Sequence, residues 1–232
     1  MNQLFKIYKI LLKTYGQQGW WPLLELSNSS LPKNPNKTGS LNGYHPGDYS
    51  YPKTNDQQFE IIISTILTQN TSWKNVEKAL ANLQKENLLS PIALQSCSLP
   101  KLKQLIKPVG YFNQKANYLK EITKFYISLN GKIPKREELL KIKGVGPETC
   151  DSILLYAYKQ PFFVIDSYTK RILYNLKIIS KKQKYEDIQK LFQDNLPKDY
   201  KLYQEFHALI VEHAKQFYTN RKDGKTDFLL KL

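Results

Sequence analysis

The segment Leu-Lys-Ile-Lys-Gly-Val-Gly-Pro-Glu-Thr-Cys, residues 140–150, decides the fold of this chain. It predicts a helix that ends at Lys143, a tight hairpin at Gly144-Val145-Gly146 and a second helix that begins at Pro147, because glycine permits a close turn and proline suits a first helical turn. Such a hairpin presents unpaired N–H groups and the positive end of a helix dipole. The segment is therefore predicted to bind an anion.

One carboxylate follows this hairpin at the end of an apolar run. Phe162 to Ile165 is the one segment whose pattern suggests a strand, and Asp166 comes directly after it. A phosphate-binding hairpin joined to a single placed carboxylate indicates a protein that acts on DNA. The alternative is that Asp166 only caps a helix beginning at Ser167, since aspartate is a favoured N-cap.

The composition favours a polyanionic partner. Lysine and arginine number 35 against 20 acidic residues, which gives a net charge of +15, and such an excess promotes binding through counterion release. A generally lysine-rich proteome would produce the same excess. The two cysteines, Cys97 and Cys150, form neither a metal-type pair nor a disulfide framework and predict a reducing cytoplasm. No apolar run approaches the roughly 20 residues that a membrane span needs.

Helical spacing of apolar residues recurs along most of the chain, so we predict an all-α protein. The segment 27–55, rich in Asn, Ser, Pro and Gly, is predicted to be a long loop. Phe59 to Leu67 should form a deeply buried helix, and Asn113 should cap another. The other predicted helices lie at 3–15, 72–85, 89–96, 98–107, 114–129, 135–143, 147–159, 167–176, 184–195 and 200–218.

Residues 140–166 closely resemble the helix–hairpin–helix signature of the endonuclease III superfamily of base-excision DNA glycosylases. The family pattern is a Gly-hydrophobic-Gly hairpin, a helix, and an aspartate after a short hydrophobic run. Ile66-Leu67-Thr68-Gln69-Asn70-Thr71 resembles the family segment that inserts a side chain into the duplex. Gly110-Tyr111-Phe112-Asn113-Gln114-Lys115-Ala116 resembles the start of the helix before the hairpin, and the whole match covers roughly residues 56–215.

The resemblance implies two helical domains with a DNA-binding cleft between them and the helix–hairpin–helix motif at the cleft mouth. One domain would be a six-helix barrel at 56–160, and the other would be discontinuous, built from 1–55 and 161–232. The implied partner is double-stranded DNA that contains a damaged base, with no membrane association. We expect a monomer in the cytoplasm, associated with the nucleoid.

Asp166 and Glu148 are the predicted catalytic residues. A fixed carboxylate at Asp166 can stabilise positive charge on the sugar or orient a water toward C1′. Family members that also cut the backbone carry a lysine 18 residues before the aspartate, where this chain has Glu148. A carboxylate cannot form an imine with the opened sugar, so a monofunctional glycosylase is predicted. Glu148 could also simply favour a first helical turn, and Lys143 or Lys170 could supply weak lyase activity.

No resident cofactor or metal is predicted. Many relatives end with four closely spaced cysteines that bind an iron–sulfur cluster, and this chain has none in its tail. His207 and His213 are six residues apart and are interpreted as structural. The resemblance also implies a monovalent cation at the hairpin when DNA is bound, held by the carbonyl groups of Leu140, Ile142 and Val145.

The three tryptophans, Trp20, Trp21 and Trp73, are predicted to bind the damaged base. A Trp-Trp-Pro segment, followed by Thr-Gln-Asn-Thr with an aromatic two residues on, resembles the 3-methyladenine DNA glycosylase III-like subgroup. Enzymes that act on a base extrude it and stack it on aromatic side chains. Methylated adenine is cationic, and an indole face attracts a cation by about 0.5–2 kcal/mol. The alternative is that these tryptophans belong to the core.

Duplex contacts are predicted at the hairpin and at the loop that contains Gln69. Gln69 would fill the gap left by the extruded nucleotide, or else is only a polar residue at a helix end. The basic side chains of Lys141, Lys143, Lys170 and Arg171 would contact phosphates unless they form a solvated surface. The predicted DNA-binding residues are Gln69, Asn70, Lys143, Gly144, Val145, Gly146, Thr149 and Lys170.

The leading hypothesis is a monofunctional DNA glycosylase for damaged bases, most specifically alkylated purines such as 3-methyladenine. A mismatch uracil or thymine glycosylase is the second hypothesis, because the superfamily performs both reactions with similar motifs. The third is a non-catalytic helix–hairpin–helix protein that only binds DNA. Asp166 separates the third from the others, since a binding module has no need of a carboxylate there.

Overall fold

The computed structural model describes residues 2–27, 43–219 and 223–232, and within these ranges it contains helices and no strand. The all-α prediction is confirmed. In chain order the α-helices are α1 (Gln3–Tyr15), α2 (Asn55–Leu67), α3 (Trp73–Lys85), α4 (Pro91–Ser96), α5 (Leu99–Leu105), α6 (Phe112–Ser128), α7 (Arg136–Leu139), α8 (Pro147–Ser152), α9 (Ser167–Asn175), α10 (Tyr185–Asn195) and α11 (Tyr200–Phe217). Short 3₁₀ turns lie at Leu24–Leu26, Lys107–Val109 and Phe228–Lys231.

The predicted loop at 27–55 falls largely outside the described residues. Its described part, 43–54, forms turns and ends at Thr54, whose side chain accepts from the backbone N–H of Gln57. The Gln57 side chain reaches back to the cap, which completes a capping box and begins α2. The second half of α2 is buried on every side, as its apolar run predicts.

The helices pack in two groups. In one group α2 packs against α3, α6 and α8, while α4 and α5 pack against α6. In the other group α1 packs against α10 and α11, and α9 packs against α11. A π-helical turn, Ile153–Ala157, continues α8 and contacts both α2 and α11, so it joins the two groups. The domain boundaries at 56–160 and 161–232 remain a prediction.

Two predictions about helix starts and ends were wrong. Asn113 is not a cap, because α6 begins at Phe112 and follows Gly110 and Tyr111, which both have positive φ. The first hairpin helix, predicted at 135–143, ends at Leu139 and is followed by turns. A chain that reverses direction this tightly uses turns where apolar spacing alone predicts a continuous helix.

The predicted strand at Phe162 to Ile165 is also absent, and the segment is buried extended backbone. Side chains of the neighbouring helix take the place of a partner strand. Phe163 N donates to Gln193 Oε1 at 3.1 Å, and the Gln189 side-chain nitrogen donates to Phe163 O at 2.8 Å. These bonds satisfy buried backbone groups without a sheet and fix the segment that leads to Asp166.

The C-terminal segment is fastened to α11 by a buried polar cluster. His213 Nε2 lies 2.9 Å from Asp227 Oδ1, and Tyr218 OH donates to Asp227 Oδ2 at 2.6 Å. The rings of Phe217 and Phe228 pack around the imidazole. His213 is therefore structural, as predicted. Across the described ranges, no helix combines the length and apolar character of a membrane span.

Candidate active site

The hairpin turns where the sequence predicts and is packed against α6. Gly144 has φ +92°, and a Cβ there would lie 2.3 Å from the Tyr118 ring, so both backbone conformation and packing require glycine. Val145 N donates to Ile142 O at 3.0 Å and closes the turn. Gly146 precedes α8 with an ordinary φ of −89°, and a Cβ there would meet open space. The hairpin therefore leaves an unobstructed surface at Gly146.

Gln69 links the loop after α2 to this hairpin. Its side-chain nitrogen donates to Gly144 O at 2.9 Å and to Thr149 Oγ1 at 3.0 Å. The Thr149 hydroxyl is thus turned inward, and a contact between that hydroxyl and DNA would need rearrangement. Insertion of Gln69 into a duplex would likewise break both bonds. Its neighbour Asn70 is exposed on left-handed backbone with φ 52° and presents its side chain without that cost.

A buried lysine holds a second exposed loop beside the first. Lys115 Nζ donates to Leu67 O at the C-terminal end of α2, at 2.8 Å. It also donates to Val109 O, in the turn before Tyr111, at 3.1 Å. Burial lowers the pKa of Lys115 to about 8. The loop ends in Tyr111, which is 69% exposed and has φ 45°. Sequence reasoning did not select Tyr111, although an exposed aromatic side chain on strained backbone is a common functional feature.

Asp166 caps α9 and uses one oxygen to do so. Oδ1 accepts from both the backbone N–H and the hydroxyl of Thr169, each at 2.7 Å. Oδ2 faces His207 Nε2 at 3.8 Å, an ion-pair separation that is longer than a hydrogen bond. The cap and the catalytic interpretation are therefore compatible, because the two oxygens have different surroundings.

The two candidate carboxylates differ in their electrostatics. Burial raises the pKa of Asp166, but His207 and the two Thr169 donors outweigh it, so the pKa lies below its ordinary value. Glu148 is solvent-exposed, yet desolvation by the surrounding protein atoms and then the negative charge of Asp166 raise its pKa to about 7. At neutral pH Asp166 is therefore ionised, whereas Glu148 lies close to its midpoint. A pair of acids with separated pKa values is typical of an active site.

An aromatic cluster lies near Asp166, with the His207 ring between them. Trp20 is half-buried and packs edge-on against His207, with ring centroids 5.8 Å apart. Trp21 is only 6% exposed and contacts Trp73 edge-on, with centroids 5.6 Å apart and an 80° angle between the planes. A base cannot enter between Trp21 and Trp73 in this arrangement. Trp21 is therefore a core residue, and Trp20 is the tryptophan that packs against His207, which in turn faces Asp166.

The predicted phosphate-binding side chains are only partly brought together. Lys141 and Lys143 are exposed beside the hairpin. Lys170 is half-buried, with its ammonium 5.9 Å from the centre of the Tyr185 ring. Arg171 instead donates to the backbone carbonyl of Tyr218 and helps to fasten the C-terminal segment.

The donor set of an iron–sulfur cluster does not fit this chain. A cluster needs about four cysteine ligands, whereas the sequence has two cysteines and the buried Cys150 lies on α8. The clasp of His213, Asp227 and Tyr218 fastens the C-terminal segment instead. Within 2–27, 43–219 and 223–232, no group of three or more His, Cys, Asp or Glu side chains could hold a metal ion.

Residues 63–198 match the family model described as HhH-GPD superfamily base excision DNA repair protein. The chain belongs to the HhH-GPD superfamily. The matched range contains the hairpin, Glu148 and Asp166.

Two sequence relatives place this HhH-GPD chain among DNA repair enzymes. A protein of Methanocaldococcus jannaschii that carries the words DNA repair glycosylase in its name is 42% identical over 227 residues, which cover 93% of this chain and 89% of the relative. Endonuclease III of Thermotoga maritima is 32% identical over 160 residues, covering 68% of this chain and 73% of the relative.

Solved structures show the same fold. The 3-methyladenine DNA glycosylase MagIII of H. pylori, bound to 1,N6-ethenoadenine, matches with a TM-score of 0.67 at 24% identity and covers 93% of this chain and 98% of that one. A non-covalent endonuclease III–DNA complex matches with a TM-score of 0.73 at 19% identity, covering 99% and 93%. The two-domain architecture with a DNA-binding cleft is that of these neighbours.

Proposed function

We propose that this HhH-GPD chain is a monofunctional DNA glycosylase that hydrolyses the N-glycosidic bond of alkylated purines, with 3-methyladenine as the representative substrate. The observation that carries this proposal is the Asp166 carboxylate, which has one oxygen fixed by Thr169 and the other facing His207 Nε2 at 3.8 Å, beyond hydrogen-bond distance. Glu148 supports it, since the first turn of α8 offers a carboxylate in place of an amine. Water is then the nucleophile.

The reaction places positive charge on the deoxyribose as the base departs. An ionised Asp166 stabilises that charge and directs a water to C1′. The lowered pKa of Asp166 keeps the group ionised across the physiological range. A methylated purine is already cationic and leaves as a neutral base, so little protonation of the leaving group is required.

The aromatic cluster supports an alkylated purine over a mismatched pyrimidine. Trp20 offers a half-buried indole beside the Asp166–His207 pair, and an indole face attracts a cationic base. The Lys215 ammonium lies over the Trp20 ring, 5.8 Å from its centre, so this indole already interacts with one cation. The H. pylori enzyme that shares this fold is a 3-methyladenine DNA glycosylase, which is consistent with the same choice.

A base-release screen tests the proposed function. Duplex oligonucleotides bearing a 3-methyladenine analogue, 1,N6-ethenoadenine, uracil, thymine opposite guanine, hypoxanthine or 8-oxoguanine are incubated with the protein and analysed with and without alkali. We expect release of the alkylated purines and strand breaks only after alkali. Release restricted to uracil or thymine would establish the mismatch glycosylase instead, and binding without any release would establish a DNA-binding module.

Borohydride is expected to trap no stoichiometric protein–DNA adduct. An imine needs an amine at the sugar, and Glu148 stands where relatives carry that amine. The trapping assay on damaged duplex measures this directly, and Glu148→Lys serves as the comparison, with some gain of trapping. Stoichiometric trapping by the unaltered protein would contradict the monofunctional assignment and would direct attention to Lys143 and Lys170.

Trp20→Ala is expected to lower excision of alkylated purines by about tenfold to a hundredfold, because base–aromatic stacking is worth about 1–3 kcal/mol. Binding to undamaged duplex should barely change. Trp21→Ala is the comparison: it removes a core side chain and should cost about 3–5 kcal/mol of unfolding free energy. Excision kinetics and melting temperature are measured on both variants. Unchanged excision by a well-folded Trp20→Ala protein would eliminate the stacking role.

Gly146→Ala is expected to weaken binding to damaged and undamaged duplexes by the same factor, about tenfold, which corresponds to roughly one charge-assisted hydrogen bond. Its Cβ meets open space in the free protein, so the melting temperature should not change. Gly144→Ala, whose Cβ would overlap Tyr118, should instead destabilise the fold. A Gly146→Ala protein that loses only its preference for damage would assign the turn to the base pocket.

Exposed Tyr111 and Asn70 support a role in opening the duplex. Side chains that wedge between base steps unstack them locally, and these two residues present such groups from adjacent loops. Fluorescence of 2-aminopurine placed beside the lesion tests this role, and the signal should fall in Tyr111→Ala. A signal equal to that of the unaltered protein would exclude Tyr111 as the wedge.

We further propose that the protein acts as a monomer without an iron–sulfur cluster and binds a monovalent cation at the hairpin when it binds DNA. The two cysteines of the chain support the absence of a cluster. Solution mass tests the monomeric state, and iron content tests the absence of a cluster. Replacement of potassium by a bulky organic cation should weaken duplex binding if the hairpin binds a monovalent cation.

A further inference from the structure

The two oxygens of Asp166 have different partners, and the second one has a partner that the sequence did not indicate. Oδ1 is occupied by two Thr169 donors, so Oδ2 is the oxygen left for chemistry. His207 Nε2 lies 3.8 Å from Oδ2, and the His207 side chain is only 6% exposed. Nε2 has no hydrogen-bond partner among the described residues. An unpaired buried polar atom that faces a reactive oxygen requires an explanation.

The rest of the His207 imidazole is held firmly. Tyr156 OH lies 2.7 Å from Nδ1 and 3.2 Å from the carbonyl oxygen of Gln204. The π-helical turn brings Tyr156 to this position, and such turns are frequent at functional sites. With Nδ1–H donating to Tyr156 and the tyrosine donating to Gln204, both ring nitrogens can carry protons. The surroundings therefore accommodate a cationic imidazole whose Nε2–H points toward Asp166.

We propose that His207 is a positioning residue for base release, which keeps Oδ2 of Asp166 directed at the reacting sugar and keeps that carboxylate charged. The proposal rests on the glycosylase function proposed above. A buried carboxylate needs compensation, or it takes up a proton instead. Thr169 stabilises the negative charge at Oδ1 only, and His207 provides the rest of the stabilisation at Oδ2.

The chemical step explains why the charge matters. The water oxygen forms a bond to C1′ while the N-glycosidic bond breaks. The electron pair of the broken bond leaves with the base, so a cationic methylpurine departs as a neutral molecule. One water proton passes to Asp166 Oδ2 and later to solvent. His207 neither gains nor loses a proton in this sequence. A protonated Asp166 could neither stabilise the charged sugar nor accept that proton.

Several other ionisable groups face this pair from the packed elements. Glu148 lies on α8 and Lys170 on α9, and both act on the same electrostatic environment. Among the described residues, His207 is the one basic side chain within ion-pair distance of Asp166. The groups around the pair are Glu148, Lys170 and Tyr156, and Glu205 acts in turn on Tyr156.

His207→Gln tests this role, because glutamine retains a hydrogen-bond donor but not the charge. Single-turnover release of the best substrate from the screen is measured between pH 5 and pH 8 for both proteins. The ratio of variant to unaltered rate is expected to fall roughly tenfold between pH 7 and pH 5, since burial then raises the pKa of Asp166. Because His207 also lowers the pKa of Glu148, the same comparison is repeated in a Glu148→Gln background, where that titration is absent.

Two further variants make the result decisive. Tyr156→Phe removes the hydroxyl that holds Nδ1 and should give a smaller fall in the same direction. His213→Gln, on the same helix but in the C-terminal clasp, should lower the melting temperature and leave the ratio flat. If the rate ratio of a folded His207→Gln protein does not change with pH, the inference is wrong. If His207→Gln does not fold, a pH-independent ratio for Tyr156→Phe has the same meaning. Absence of release by the unaltered protein would instead reject the proposed glycosylase function.

Discussion

Asp166→Asn is expected to lower single-turnover base release by about a thousandfold or more, while duplex affinity stays within about threefold. Asparagine is as good an N-cap as aspartate, so α9 and its bonds with Thr169 should persist. What disappears is the negative charge that faces the developing positive charge on the sugar. Because that charge appears only in the transition state, the loss should fall on the rate and not on binding.

A second capping aspartate provides the matched control. Asp199 begins α11 and accepts from Lys201 N at 2.9 Å, remote in sequence from the hairpin. Asp199→Asn should leave release and affinity unchanged. Both variants are compared by single-turnover kinetics, duplex binding and melting temperature. Near-normal release by Asp166→Asn would show that Asp166 is only a cap and would favour the DNA-binding alternative.

Asp227→Ala is expected to lower the unfolding free energy by about 3–5 kcal/mol and the melting temperature by roughly 6–20 °C. The carboxylate is buried and pairs with His213, Tyr218 and the backbone N–H of Leu229. Its removal leaves these buried donors without an acceptor and releases the C-terminal segment. Release of base well below the melting temperature should persist, because the clasp does not contact Asp166.

Asp223 serves as the comparison for Asp227. It forms an exposed ion pair with Lys225, so Asp223→Ala should leave the melting temperature essentially unchanged. Burial raises the pKa of Asp227, but His213 and Tyr218 more than offset it and hold the pKa below its ordinary value. The stabilisation is therefore full above about pH 4 and is lost as the pH falls further. Thermal unfolding at several pH values measures both effects, and a small change in Asp227→Ala would show that the clasp is dispensable.

Local sequence was sufficient for the hairpin and its carboxylate. Gly144 stands where φ is positive, and proline opens α8. Asp166 follows a buried apolar segment and caps the next helix. These features depend on neighbouring residues, which explains why apolar spacing, glycine, proline and a capping residue predicted them.

Other parts of the candidate site depend on contacts between distant segments. His207 was interpreted as structural from its six-residue separation from His213, and spacing along α11 gives no sign of Asp166, whose Oδ2 lies 3.8 Å from His207 Nε2. Trp21 and Trp20 are adjacent in sequence, yet the first is buried against Trp73 and the second lies against His207. Gln69 was predicted either to fill the gap in the duplex or to be only a polar residue at a helix end, and its side chain donates to Gly144 in the hairpin and to Thr149 in α8.

The sequence by itself determined the all-α class, the hairpin at Gly144-Val145-Gly146, an aspartate at the start of α9 and a carboxylate, Glu148, in the first turn of α8. Each of these is a matter of residue identity or of conformational preference within a few positions. Only the tertiary structure decided which Asp166 oxygen is bonded to Thr169, which tryptophan packs against His207 and that His207 faces Asp166. Burial, ion pairing and access to a cleft are properties of atoms brought together from separate helices, and no local pattern along the chain encodes those distances.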